Sequence, residues 1–173
     1  MLWSLTSHKI NKELGYKAKP DVHAFKYDHE KDCADIFVSL ALTGTLLEWQ
    51  GEGDQKTGFR HDRMFSVDDR IFYLEVERGT QGDGKLRAKL ERYIKHYHAT
   101  HKPFNVLFTV QDEDALERMV GLFAEFKLGN QYAVVVHSEF VRDPLHARLT
   151  TRFDTFLLLN FDSSHTSNHA ATE

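Results

Sequence analysis

Arg60-His61-Asp62-Arg63-Met64-Phe65-Ser66-Val67, a polar break at Asp68-Asp69-Arg70, then Ile71-Phe72-Tyr73-Leu74-Glu75-Val76-Glu77 read as two β-strands joined by a tight turn. In a strand, residues two apart face the same side. Glu75 and Glu77 therefore point together, and Leu74 and Val76 point to the opposite face. If the strands pair through the short turn, Asp62 lies roughly across from Glu75 or Glu77. Three acids then gather at one end of an apolar sheet. Burying an uncompensated carboxylate is costly, so such a group needs a partner, and a divalent metal is one that suits it.

Working outward, residues 29–42 carry Cys33, Ile36, Phe37, Leu40 and Ala41 at close to helical spacing, with Asp28 placed to cap and Gly44 to stop the helix. Residues 45–50 read as a strand and residues 51–58 as a glycine-rich loop. Beyond the hairpin, residues 84–97 read as a helix and residues 104–110 as a strand. A helix capped by Asp112 or Asp114 runs to about residue 127, where Gly129-Asn130 stops it. Residues 132–138 are expected as a further strand and residues 153–159 as another. The order is helix, three strands, helix, strand, helix, strand, which makes an α/β sandwich. Residues 1–28 are expected to be irregular, residues 29–160 to form the core domain, and residues 161–173 to be a disordered tail.

The 173 residues suffice for one packed domain, with 41% hydrophobic and 12% aromatic residues. The single cysteine, Cys33, excludes an intramolecular disulfide and fits a reducing compartment. No apolar run is long enough to cross a bilayer, and the first residues lack the pattern of a signal peptide. A soluble, cytoplasmic protein with no membrane partner is the expectation. The formal net charge of -4 argues against wrapping nucleic acid by electrostatics alone. His96, His98 and His101 lack zinc-site spacing, and Gly79 to Gly84 lacks the Gly-Lys-Ser/Thr ending of a nucleotide loop.

Asp62, a gap of twelve residues, then Glu75-Val76-Glu77 resembles the PD-(D/E)xK nuclease signature, with His61-Asp62 in the Pro-Asp place. Lys89-x-x-x-Tyr93 resembles the Gln-x-x-x-Tyr helix motif of RecB-type members of that superfamily. More closely, residues 61–65 and 73–80 with Lys89 and Tyr93, preceded by His29, residues 35–40, Trp49 and Glu52, look like the replication-relaxation proteins of plasmids and other mobile elements. The likeness spans roughly residues 28–110. It implies a restriction-endonuclease-like fold, a central mixed sheet of about five strands flanked by helices, and Mg²⁺- or Mn²⁺-dependent hydrolysis of DNA to 5′-phosphate and 3′-hydroxyl ends. Carried over, Asp62, Glu75, Glu77 and Lys89 become the catalytic set and Asp62, Glu75 and Glu52 the metal ligands. Arg60, Arg78, Lys85 and Tyr93 would meet the DNA. A homodimer, or a separate DNA-targeting protein, is implied as partner.

Two departures stand out. Glu77 occupies the position of the superfamily's catalytic lysine, and a carboxylate cannot take over a cationic role. Lys89, or Lys85, could substitute from the following helix if it reaches back. The relatives' N-terminal winged-helix domain is also expected to be absent, because only about 28 residues precede the core. Two other readings of the motif follow from these residues. A catalytically degenerate nuclease fold would bind DNA or protein without cutting. Cross-strand ion pairs from Arg60 or Arg63 would explain the acids with no site at all.

Overall fold

The computed structural model describes residues 24–53, 60–79, 82–101 and 104–160. Two compact units are distinguished, Met1–Lys31 and Asp32–Glu173. Of the first, the described part is the opening of helix α1 (Ala24–Leu42), which starts inside the segment expected to be irregular. The second holds the sheet, both apolar clusters and the candidate site.

The strands are β1 (Leu46–Gln50), β2 (Arg63–Val67), β3 (Arg70–Val76), β4 (Asn105–Val110), β5 (Tyr132–Val136), β6 (Arg148–Thr150) and β7 (Thr155–Leu157). They form one mixed seven-stranded sheet in sequential order, flanked by helices. The α/β class is therefore as expected, but the strand count of about five is too low. The strands β1 to β3 form an antiparallel meander, β3, β4 and β5 run parallel, and β5 to β7 return antiparallel. Each parallel step needs a crossover, supplied by helices α2 (Asp83–Thr100) and α3 (Glu113–Glu125). Helix α4 (His137–Arg142) follows β5 directly, so His137 and Ser138 are helical rather than the end of a strand.

Two apolar clusters cover the two faces of the sheet. On one face Cys33, Ile36 and Leu40 of α1 and Phe140 of α4 pack with Phe65, Phe72, Leu74, Val76, Leu107 and Val135. On the other, Leu86, Leu90 and Tyr93 of α2 and Met119, Leu122 and Phe123 of α3 meet Val106, Phe108 and Val134. The central strands β4 and β5 are buried along their whole length, as parallel strands covered on both sides must be. Right-handed crossovers in the same direction place α2 and α3 on the same face.

The β2–β3 turn fixes the register. Asp68 and Asp69 both have positive φ, 48° and 64°, which a two-residue hairpin of matching twist demands. Arg63 then pairs with Leu74, Met64 with Tyr73 and Phe65 with Phe72. β2 itself begins at Arg63, later than expected, and Arg60 to Asp62 approach it as irregular chain. At the far end of the fold, Asp112 caps α3 by accepting from the Ala115 N–H at 2.9 Å. That helix ends at Glu125, and the chain turns left-handed at Lys127, φ 53°, before Gly129 is reached. Among the described residues, no helix is long and apolar enough to cross a membrane.

Candidate active site

Continuing the β2–β3 register one step brings Asp62 opposite Glu75. The Asp62 N–H donates to the Leu74 carbonyl at 3.1 Å. In return, Asp62 Oδ2 accepts the Val76 N–H at 2.8 Å. The acid is thus locked to the rim of β3 by its backbone and by its side chain.

Glu75 and Glu77 turn to the α2 face, as the two-residue period requires, and both are almost wholly buried there, 2% and 4% exposed. What compensates them comes from α2. The Lys89 ammonium donates to Glu75 Oε2 at 2.6 Å and also to Glu77 Oε1. One turn further on, the Tyr93 hydroxyl donates to Glu75 Oε1 at 2.6 Å. Residues four apart on a helix lie one above the other, which is how a single helix face supplies both donors. The Tyr93 ring is 1% exposed and packs against Phe104, Phe108 and Tyr132. It holds Glu75 and has no surface to offer a base.

The electrostatics follow from this burial. Desolvation pushes the Glu75 carboxyl up to about 7, against the pull of Lys89. Burial acts to lower Lys89, but the charges of Glu75, Glu77 and Asp62 outweigh it and hold the ammonium above its usual range. Tyr93 is raised well above the ordinary phenol value, by burial first and the Glu75 charge second. At neutral pH the group is a fixed cation, a neutral phenol and a carboxyl close to its midpoint.

Arg60, His61, Asp62, Glu75, Lys89 and Arg92 line a cavity of about 230 Å³ beside this cluster. His61 lies tilted against Tyr73 with ring centroids 4.8 Å apart, and burial lowers its pKa. Two of these residues, His61 and Arg92, were not candidates from sequence. For Arg92 a signal existed, since three residues past Lys89 on a helix is the same face.

The other expected residues sit elsewhere. Glu52 is ion-paired with Arg60 and is not among the residues lining the cavity. Arg78 alternates to the α1 face, where it donates to Asp32 Oδ2 at 2.6 Å. Lys85 is exposed in the first turn of α2.

The donor set facing the cavity is hard oxygen, from Asp62 and Glu75. Such oxygens are the kind that Mg²⁺ or Mn²⁺ take, but Glu75 already accepts from Lys89 and Tyr93, and Arg60, Lys89 and Arg92 share the lining. Comparisons of the chain with protein-family models, with curated proteins and with solved structures found no match.

Proposed function

We propose that this chain is a divalent-metal-dependent DNA endonuclease or nickase built on a restriction-endonuclease-like core, of the kind carried by mobile genetic elements. The observation that carries the reading is the convergence of Asp62, just ahead of β2, and Glu75 of β3 on one cavity where Lys89 reaches back from α2 to Glu75 and Glu77. That reach supplies a cation to a motif whose lysine position holds Glu77.

Asp62 and Glu75 would hold the ion, which when bound supplies Lewis-acid neutralisation of phosphate charge and an activated water. The chain's own residues do the rest. Arg92, and Arg60 from its pairing with Glu52, line the cavity and would offer guanidinium groups to phosphate oxygens. Lys89, held protonated, offsets negative charge that develops on the phosphate and cannot serve as the base. Tyr93 fixes one oxygen of Glu75 and Lys89 the other, so the carboxylate is oriented before substrate arrives.

The test is cleavage of supercoiled plasmid DNA by the purified chain with Mn²⁺ or Mg²⁺. Asp62→Ala and Glu75→Gln should each lower the rate by roughly 100-fold or more. Cleavage at the wild-type rate by both variants overturns the assignment.

One observation favours a second reading, a degenerate nuclease fold that binds DNA or protein. Both Glu75 oxygens already accept hydrogen bonds from the chain itself. Calorimetry separates the two readings: Mg²⁺ and Mn²⁺ binding that Asp62→Asn removes supports the nuclease. No such binding at millimolar ion, together with intact DNA, supports the degenerate module.

A further inference from the structure

On the opposite face of the sheet, Asp32 and Asp35 of α1 and His137, the first residue of α4, offer one ligand atom each, all within 4.8 Å of one another. We propose that these three residues form a site for a borderline divalent cation, Zn²⁺ in class, separate from the Asp62 and Glu75 cluster and independent of the nuclease reading.

The placement is rigid. Asp32 and Asp35 are three apart on one helix and so project from the same face. His137 is set by the end of β5, a strand buried throughout. Asp32 is itself buried, 8% exposed, and its two oxygens have different partners. Oδ2 accepts from Arg78 at 2.6 Å, whereas Oδ1 lies 3.9 Å from His137 Nε2. That separation closes around a cation with a small movement, because ligand atoms about 2 Å from an ion stand roughly 3–4 Å from each other. Arg78 fixes the carboxylate from outside, the part that a supporting hydrogen bond plays around metal ligands.

Chemistry selects the ion. An imidazole with two carboxylates is a mixed nitrogen and oxygen set, which suits Zn²⁺, Co²⁺ or Mn²⁺ better than Mg²⁺. Asp35 also lines a groove of about 410 Å³ between α1 and α4, shared with Ser39, Val141 and Asp143. Asp35 links the cluster to this groove, and three protein ligands would leave a coordination position open.

The experiment titrates the full chain with Zn²⁺ by calorimetry and with Co²⁺ by visible absorption. One equivalent should bind, with a Co²⁺ d–d band. Asp35→Asn, which keeps the side-chain shape at a half-buried position, and His137→Gln should each weaken binding by about 100-fold. Asp62→Asn and Glu75→Gln should leave it within threefold of wild type. Absence of Zn²⁺ binding at 1 mM, binding indifferent to both Asp35→Asn and His137→Gln, or loss in Asp62→Asn overturns the proposal. Plasmid cleavage is not read, so failure of the nuclease assignment leaves this test unaffected.

Discussion

Lys89 is the residue on which the buried acids depend. It bonds Glu75 and Glu77 together where both are almost wholly buried. Lys89→Met keeps the aliphatic volume and removes the charge. Breaking one side of a buried ionic group typically costs about 3–5 kcal/mol. Urea denaturation should show a loss of that size at pH 8 and a smaller one at pH 5.5, where Glu75 carries a proton. Equal losses at both pH values would mean that Lys89 stabilises through packing alone. The same carboxyl sets a pH signature in the wild-type chain. Its folded pKa of about 7 lies above the ordinary 4.5. Between those values the unfolded chain releases a proton that the folded chain keeps, so stability falls as pH rises and levels off above about 7. Glu75→Gln removes this term. His61 and His96, whose pKa values burial lowers, act in the other direction below pH 6.5. Both are retained in the variant and cancel in the difference. The variant should therefore gain on wild type by up to roughly 3 kcal/mol between pH 4.5 and 7. A difference flat with pH would place the Glu75 titration elsewhere.

Among the elements, the β2–β3 hairpin is the one that aligns Asp62 with Glu75, and its turn carries a strain that can be measured. Asp69 is exposed at φ 64°, a region glycine occupies without a Cβ penalty. Asp69→Gly should raise stability by roughly 0.5–1 kcal/mol, seen as a melting temperature higher by a few degrees. Gly44, at φ 74° with open space around it, is the converse. Gly44→Ala should lower the melting temperature through backbone strain, with no clash to confuse the cause. A fall for Asp69→Gly would show that the Asp side chain contributes more to the turn than its conformation costs. This hairpin was legible in the chain because period-two alternation, a polar turn and strand length all agreed. Lys89 and Tyr93 entered through their likeness to the Gln-x-x-x-Tyr helix motif, and their four-residue spacing fits one helix face. What local pattern could not reveal was who pairs with whom across the fold. Arg78 binds Asp32 and Arg60 binds Glu52, and both choices depend on where α1 and the chain at Glu52 come to rest. Of the two short strands, β7 falls inside the residues 153–159 expected as a strand, whereas β6 escaped, because three residues are too few for alternation to register.

At the scale of the whole molecule, both candidate sites lie at the edge where the parallel strands β3, β4 and β5 end. Glu75 is near the C-terminus of β3 and His137 immediately follows β5. Open α/β sheets commonly bind ligands at this edge, because the side chains that follow each strand converge there. The two faces carry different chemistry: carboxylates with Lys89 on the α2 side, carboxylates with an imidazole on the α1 side. Charge then limits how DNA could be held. The chain has 22 Lys and Arg residues against 26 Asp and Glu, so its long-range field repels a polyanion. Under the proposed function, attraction would have to come from Arg60 and Arg92 in the cavity lining, Arg60 being paired with Glu52 as well. Two phosphate contacts release few counterions, which gives a slope of about -2 in log affinity against log salt. Affinity for duplex DNA should therefore drop only about tenfold between 50 and 200 mM salt, measured by fluorescence anisotropy in Ca²⁺ to suppress cleavage. Arg92→Gln should make the slope shallower by about one unit. A slope near -6 would require a broad basic face, and DNA would then be bound somewhere other than the cavity that Asp62 and Glu75 share.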